Sequence, residues 1–372
     1  MSHLSIIADE NIPALDALFG DLGTIKKLPG RTMSADDLRD ADILLVRSVT
    51  KVNAALLTHS KIQFVGTCTI GTDHLDKAFF ETQNIQWSAA PGCNAGGVVQ
   101  YALAAMATYC PDWANKTVGI IGCGNVGGRL YRTLKALGVK LIVADPHKNT
   151  QQISELTTLD KVLGADIICV HTPLIIEGEE PTLNIINANN LPLIKPDALL
   201  ISAGRGEVID NFALFKYLQS TPSLQVVLDV WAEEPNIYTP LMPLIRCGTP
   251  HIAGYSFEGK LNGSLMIFEA LAKHLGLPQE DIAARLSAVQ KNILGEATAL
   301  NATTINEAVL KSYNLKDDHA LIAGAIESEE PMATAFDKLR KNYWQRRELG
   351  HYFCDDNPAI RDFLELVNGV KK

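Results

Sequence analysis

The stretch Thr117–Leu130, TVGIIGCGNVGGRL, constrains the possible folds more than any other part of the chain. A β-branched run from Val118 to Ile121 ends in glycines at 122, 124 and 127. Apolar residues at helical spacing follow at Leu130, Leu134 and Leu137. Strand, tight turn and helix in that order give G-x-G-x-x-G its structural meaning. Gly122 permits the turn, Gly124 lets a pyrophosphate approach the backbone, and Gly127 lets the helix pack closely on the strand. Unpaired amides at the helix start, around Asn125 and Val126, then face phosphate oxygens. A second run, Lys140–Ala144, leads to Asp145. Its carboxylate is placed to accept from both ribose hydroxyls and would repel a 2′-phosphate, so NAD is expected over NADP. A glycine-rich turn in some other βαβ unit would account for the loop but not for the acid.

A chain of 372 residues is too long for one core of ordinary size and predicts two or three domains. With 47% hydrophobic and 20% charged residues it reads as globular. A net charge of −9 argues against a nucleic-acid or anionic-membrane surface. The seven cysteines are scattered, contain no C-x-x-C and sit mostly in apolar surroundings, as reduced core residues do. Asp9 and Glu10 interrupt any signal-like run, and the apolar stretch around Val98 to Met106 is too short to span a bilayer. A cytoplasmic protein is expected. No metal is called for.

Before the glycine-rich unit, short buried-strand patterns fall at Leu4–Ala8, Ile43–Ser48, Gln63–Gly66 and Ile85–Ser88. Helix-length spacers between them imply βα units on a parallel sheet, so this opening block is itself α/β. A small-residue helix is predicted over Ala95–Tyr109. After the glycine-rich unit, strands are predicted at Asp166–His171, Ala198–Ser202 and Gln225–Asp229, with a last short run ending at Thr249–Gly254. From about Gly276 the texture changes to helical segments with a strand candidate at His351–Cys354. The segment Phe336–Glu348 is dense in cations and aromatics. It fits a solvated helix face, an oligomer contact or an anion site.

Polar residues gather just beyond strand ends, where ligands bind in open parallel sheets. Arg205, Glu234 and His251 follow three successive strands of the nucleotide block. Oxidising a 2-hydroxy acid needs a base for the hydroxyl proton, a cation for the carboxylate and a hydride acceptor. Histidine suits the base, since its unperturbed pKa lies near neutrality. A glutamate can fix its tautomer and stabilise imidazolium, and the planar fork of an arginine matches a carboxylate. Each residue also has a purely structural reading, and only their order behind the dinucleotide fingerprint separates the two.

That order is where a family becomes visible. Gly122–Gly127 with Asp145, His171-Thr-Pro173, Ala203-Gly-Arg-Gly206, Asp229-Val-Trp-Ala-Glu-Glu-Pro235 and Thr249-Pro-His-Ile-Ala-Gly254 together resemble the D-2-hydroxyacid dehydrogenases. Val46–Asn53, Gly71–His74, Ala90–Asn94, His251–Lys260 and Phe336–Tyr343 are similar to one branch of that family. Members of this branch oxidise 4-phospho-D-erythronate with NAD in the pyridoxal 5′-phosphate pathway. The resemblance covers nearly the whole chain. It implies two doubly wound Rossmann-like parallel-sheet domains plus a smaller C-terminal α+β dimerisation domain, and hence a homodimer. The expected boundaries are 1–93 completed by 259–278 for the substrate domain, 94–258 for the NAD domain and 279–372 for the C-terminal domain, with hinges near 92–95 and 258–262.

It further implies His251 as proton acceptor with Arg205 and Glu234 as partners. Ser48, Thr69 and Tyr255 match substrate contacts. Asp145, Thr172, Ala203, Gly204, Arg205, Asp229 and Gly254 match NAD contacts. The family's Ala-Cys-Arg-Gly is Ala-Gly-Arg-Gly here and its Tyr-Thr-Leu-Glu-Gly is Tyr-Ser-Phe-Glu-Gly. Neither departure removes a catalytic group. A four-carbon phosphate needs further donors, for which Arg47, Lys51, Lys260, Arg346 and Arg347 are candidates. Two other readings remain open: a dehydrogenase of a different 2-hydroxy acid, which would turn over an unphosphorylated acid at least as well, and an NAD-binding regulatory module, which would need no base.

Overall fold

The computed structural model describes residues 3–369. The chain divides into two compact units, one running to Asn94 and including Ser256–Glu296, the other comprising Ala95–Tyr255 and the chain from Ala297 onward.

The first unit is built on β1 (Leu4–Asp9), β2 (Gly23–Leu28), β3 (Ile43–Val46), β4 (Phe64–Thr67) and β5 (Gln86–Ser88), all parallel in the order β2-β1-β3-β4-β5. β3 and β4 are buried along their whole length, as central strands covered on both faces must be. β2 escapes a reading by apolar runs because its sequence, GTIKKL, carries Lys26 and Lys27 on an exposed edge. Such edge lysines discourage strand addition. One face is covered by helices Phe257–His274 and Gln279–Leu294, whose Leu261, Phe268, Ile282 and Val289 join the core of Ile6, Leu45 and Phe64. Helix Gln279–Leu294 therefore packs with this unit, not with the C-terminal block to which a boundary at 278/279 assigns it. Burial of Ile282 and Val289 decides its side.

The second unit is built on β6 (Thr117–Ile121), β7 (Lys140–Ala144), β8 (Ile167–Val170), β9 (Leu199–Ser202), β10 (Gln225–Leu228) and β11 (Cys247–Gly248). These strands are parallel in the order β11-β10-β9-β8-β6-β7. The order reverses at β6, so a crevice opens beyond the carboxyl ends of β6 and β8. The predicted helix at Ala95–Tyr109 is present and buried almost all round, which explains its alanine-rich composition.

Among the described residues, those after Glu296 belong to this second unit and form no third compact one. Helices Ile305–Ser312 and Pro358–Asn368 add Val309, Phe363 and Val367 to the core on one face of this sheet. Helices Leu315–Glu327 and Met332–Lys341 add Ile322 and Phe336 to the core on the other. The strand expected near residue 352 exists as β13 (Tyr352–Phe353), paired in parallel with β12 (Thr298–Ala299). Among the described residues no helix is long and apolar enough to cross a membrane, and all seven cysteines are free.

Polar contacts fasten this block to helix Ala95–Tyr109. Gln100 donates to Ser312 Oγ at 3.0 Å and to the Arg347 carbonyl at 3.1 Å. The Glu348 carboxylate lies at the helix's first turn, where the macrodipole favours an anion, and it approaches Gly96 so closely that a side chain there must displace it. A Cβ there would stand 2.0 Å from Glu348 Oε2. Gly96→Ala is therefore expected to destabilise the second unit by about 1–3 kcal/mol, read as a lower denaturation midpoint. An unchanged midpoint would show that Glu348 does not occupy that position.

Candidate active site

The glycine-rich turn is shaped as a dinucleotide loop requires. Gly122 adopts φ +84°, a conformation open to glycine but costly for other residues. A Cβ on Gly127 would meet the Gly122 carbonyl at 1.9 Å, so helix and strand could not pack this closely with any side chain there. A Cβ on Gly124 would meet nothing within 4 Å. That glycine leaves open space at the start of helix Asn125–Ala136, where free amides and the helix dipole favour phosphate. Asp145, just past β7, accepts the Cys123 N–H on Oδ2 at 2.7 Å and the His147 N–H on Oδ1 at 2.9 Å. Its carboxylate is thus tied directly to the loop, and each oxygen keeps a second lone pair for a ribose hydroxyl. Thr172, beyond β8, donates to the Ile121 carbonyl at 3.1 Å. These residues fit a dinucleotide.

Arg205, Glu234 and His251 follow β9, β10 and β11, which are neighbours in one parallel sheet. The structure brings two of them into contact: His251 Nδ1 lies 2.6 Å from Glu234 Oε2. Their side chains are 29% and 19% exposed. Glu234 Oε1 accepts the Trp231 N–H at 2.9 Å. Burial pushes the Glu234 carboxyl upward, but the His251 charge and hydrogen bond, the Trp231 amide and the Arg340 guanidinium outweigh it and hold the group below its ordinary range. An ionised carboxylate only accepts, so the shared proton belongs to Nδ1, and Nε2 of the neutral ring is left with its lone pair.

Arg205 stands on the adjacent strand end, half-buried, with Nη1 donating to the Gly204 carbonyl at 3.0 Å. The turn that carries it lies against the turn that carries Glu234. A Cβ on Gly206 would meet the Trp231 carbonyl carbon at 1.9 Å, and Asn211 Oδ1 accepts the Ala232 N–H at 3.0 Å.

His251 occupies the left-handed region at φ +55°, a position that persists only where the surroundings impose it. Asp229 imposes it here. Its backbone carbonyl accepts the His251 N–H at 2.8 Å. Its carboxylate, 1% exposed, accepts from Thr249 Oγ1 at 2.7 Å, Ile252 N–H at 2.7 Å and Ala253 N–H at 3.0 Å. Asp229 thus organises the turn, and one lone pair remains for a cofactor contact. Burial raises its pKa despite the nearby His251 charge and these donors.

Of the substrate candidates, Ser48 and Thr69 lie beyond the ends of adjacent strands β3 and β4 in the first unit. Ser48 is exposed, and Thr69 Oγ1 bonds to Thr67 Oγ1 at 2.9 Å. Tyr255 belongs to the second unit, its ring 6.1 Å from that of Tyr343. Among the phosphate candidates, Arg47 and Lys260 are half-buried and Lys51 is exposed. Arg347 bonds to His351 Nδ1 at 2.7 Å. Arg346 is excluded from that role, because it is 0% exposed and its guanidinium donates to the Ile252 and Ala253 carbonyls. The cationic, aromatic segment 336–348 is accordingly not solvated throughout: Lys338 and Lys341 are exposed, whereas Phe336 and Arg346 are fully buried.

A residue that sequence reasoning passed over is Arg340. Its guanidinium lies 5.3 Å above the Tyr255 ring, and Tyr255 and Glu234 favour its charge against the cost of burial. The signal was present in the cation-rich run, but only the packing of helix Met332–Lys341 selects this arginine.

A family model described as "D-isomer specific 2-hydroxyacid dehydrogenase, NAD binding domain" matches residues 98–253, and one described as "Domain of unknown function (DUF3410)" matches residues 286–363. An erythronate-4-phosphate dehydrogenase of Teredinibacter turnerae is 51% identical over 352 residues, covering 94% of each chain. One of Saccharophagus degradans is 48% identical, covering 95% of each. The chain belongs to this family of D-2-hydroxyacid dehydrogenases. It is an oxidoreductase of the NAD-binding Rossmann type. The fold is shared with NAD+-bound 3-phosphoglycerate dehydrogenase of Entamoeba histolytica, at TM-score 0.64 and 19% identity over 74% of this chain and 96% of the other. It is shared also with D-lactate dehydrogenase of Aquifex aeolicus, solved with NAD and lactic acid, at TM-score 0.62 and 22% identity over 76% and 98%.

Asp145→Ala removes the loop's anchor together with the carboxylate expected to accept from the ribose. NAD affinity should fall by about 10- to 100-fold, the worth of one or two charged hydrogen bonds, and discrimination against NADP should shrink. Titration of both nucleotides measures this, and an unchanged preference would place ribose recognition elsewhere.

Proposed function

We propose that this dehydrogenase oxidises 4-phospho-D-erythronate to 2-oxo-3-hydroxy-4-phosphobutanoate, supplying pyridoxal 5′-phosphate synthesis, with His251 as general base. The observation that carries the mechanism is the 2.6 Å contact between His251 Nδ1 and a Glu234 held ionised. The substrate assignment is supported by relatives of that name at 48–51% identity over nearly the whole chain.

When bound, NAD supplies the hydride acceptor. The Gly122–Gly127 loop and Asp145 hold its pyrophosphate and ribose. Thr172, Ala203, Gly204, Asp229 and Gly254 are its further contacts in this reading. His251 Nε2 takes the proton of the C2 hydroxyl, and Glu234 stabilises the imidazolium that forms. Arg205 offers two parallel donors to the substrate carboxylate and polarises the oxygen on C2 as it becomes a carbonyl. Ser48, Thr69 and Tyr255 are assigned to the substrate. Arg340 joins the phosphate candidates in place of Arg346, because its charge is retained beside Tyr255.

A cytoplasmic homodimer completes the reading. Self-association is supported by large apolar side chains left exposed on the C-terminal block, namely Leu310, Leu321, Trp344 and Phe353. Light scattering should give twice the 40.4 kDa chain mass, and a monomer at micromolar concentration would refute it.

The activity test follows NADH appearance with 4-phosphoerythronate, with glycerate as the unphosphorylated control. Turnover with the phosphorylated acid is expected, with little from glycerate. Equal or better turnover of glycerate would favour a different 2-hydroxy acid, and none from either would favour a binding module. His251→Ala should cost about 10²- to 10⁴-fold in kcat.

The rate should rise as the pH is raised from acid, since only the neutral ring accepts a proton. Glu234 is already charged over that range, so Glu234→Gln should lower kcat and move the acid limb of the profile to lower pH. An unmoved limb would separate Glu234 from the proton transfer.

A further inference from the structure

The peptide groups that follow His251 are gripped from both sides. Asp229 holds the amides of Ile252 and Ala253. The carbonyls of the same two residues accept from Nη2 of Arg346, at 3.3 Å for Ile252 and closer for Ala253. Arg346 belongs to the C-terminal block, and nothing in the chemistry described so far uses it.

The surroundings of that guanidinium are built around it. It is 0% exposed, lies 4.3 Å above the Tyr313 ring and sits 5.8 Å from the Tyr343 ring. Both tyrosine hydroxyls donate to Oδ2 of Asp318 at 2.6 Å, and Asp318 is itself 1% exposed. A buried guanidinium is expensive unless stacked, hydrogen-bonded and balanced by charge. Here the group is stacked on Tyr313, and the charges of Asp318 and Asp229 favour its ionised form. Nη2 carries its hydrogen bonds, while Nε and Nη1 have none, and both bonds go to the turn immediately after His251.

We propose that Arg346 is a positioning residue for His251, acting through the Ile252–Ala253 peptides. The inference rests on the reading of His251 as general base. His251 holds a left-handed conformation, which persists only while its surroundings hold the turn. Asp229 fixes the amides, and Arg346 fixes the orientation of the carbonyls, so the ring's height above the strand ends is set from both directions. Being fully enclosed, Arg346 does not touch substrate. It acts on the rate by keeping Nε2 where the hydroxyl proton will be. This gives the segment Tyr313–Arg346, within the stretch that a domain-of-unknown-function model matches, an indirect part in the reaction.

The test compares Arg346→Met, which keeps volume without donors, with Arg346→Lys, Tyr343→Phe and His251→Ala in the full-length enzyme. NAD binding by fluorescence titration counts the folded sites. For Arg346→Met, kcat per folded site should fall by about 10- to 100-fold, the scale of a misplacement near 1 Å. Its NAD affinity should stay within about two-fold, and the acid limb of its rate profile should move to lower pH as the His251–Glu234 contact loosens. Arg346→Lys should recover part of kcat. Loss of folded sites in proportion to loss of rate, with kcat and pH profile per site unchanged, would overturn the proposal. If Arg346→Met does not fold, Tyr343→Phe decides, since it keeps the ring and removes only one donor to Asp318: a lowered kcat at unchanged NAD affinity supports the proposal, and a wild-type kcat overturns it. Wild-type turnover by His251→Ala would instead remove the reading on which the proposal rests, whereas an inactive His251→Ala beside an unimpaired, folded Arg346→Met would remove the proposal alone.

Discussion

The carboxylate of Asp229 is the constraint on which the second unit's chemistry depends. It sits at the end of β10, enclosed by protein, and gathers Thr249 Oγ1, Ile252 N–H and Ala253 N–H onto two oxygens. An enclosed carboxylate with fewer partners would protonate or unfold its surroundings. With these donors it becomes the pin about which residues 249–253 turn. His251 is the outermost residue of that turn, and its left-handed backbone directs the ring toward Glu234. Thr249 is secured in turn by Tyr101 Oη at 2.8 Å and by Trp231 Nε1, which donates to its carbonyl at 2.9 Å. The His251–Glu234 pair is therefore tied to β10, to the edge strand β11 and to the sheet's longest covering helix.

The parallel sheet supplies the other half of the arrangement. All its strands end on one edge, so loops remote in sequence become neighbours in the order of the strands. Glycines then set how close those loops come. Gly127 brings helix onto strand, Gly206 brings the Arg205 turn against Trp231, and Gly96 admits Glu348. At Gly127 and Gly206 a methyl group would push apart two backbone segments, and at Gly96 it would displace the Glu348 carboxylate.

The C-terminal block extends this logic instead of standing beside it. Its helices complete the apolar core on both faces of the sheet, and its buried cluster of Tyr313, Asp318, Tyr343 and Arg346 reaches the backbone beyond His251. Two arginines in one cation-rich run have different environments for this reason. Arg340 stacks on Tyr255 near Glu234, whereas Arg346 is sealed between rings and carbonyls.

The glycine fingerprint, the acid after β7 and the polar residues after each apolar run are local features, so the sequence by itself determined the fold class, the dinucleotide loop and the candidacy of Arg205, Glu234 and His251. Periodicity also located the helix Ala95–Tyr109 and most strands, though not β2, whose lysine-bearing edge lacks the apolar run that marks a central strand. Only the tertiary structure decided the rest. It assigned helix Gln279–Leu294 to the first unit, merged the C-terminal block with the second, gave Asp229 its bonds to the turn and withdrew Arg346 from the phosphate candidates. These outcomes depend on which surface a side chain meets after folding, and charge or apolarity along the chain does not encode the partner. A buried arginine and a solvated one read alike until the rings that enclose the first are in place.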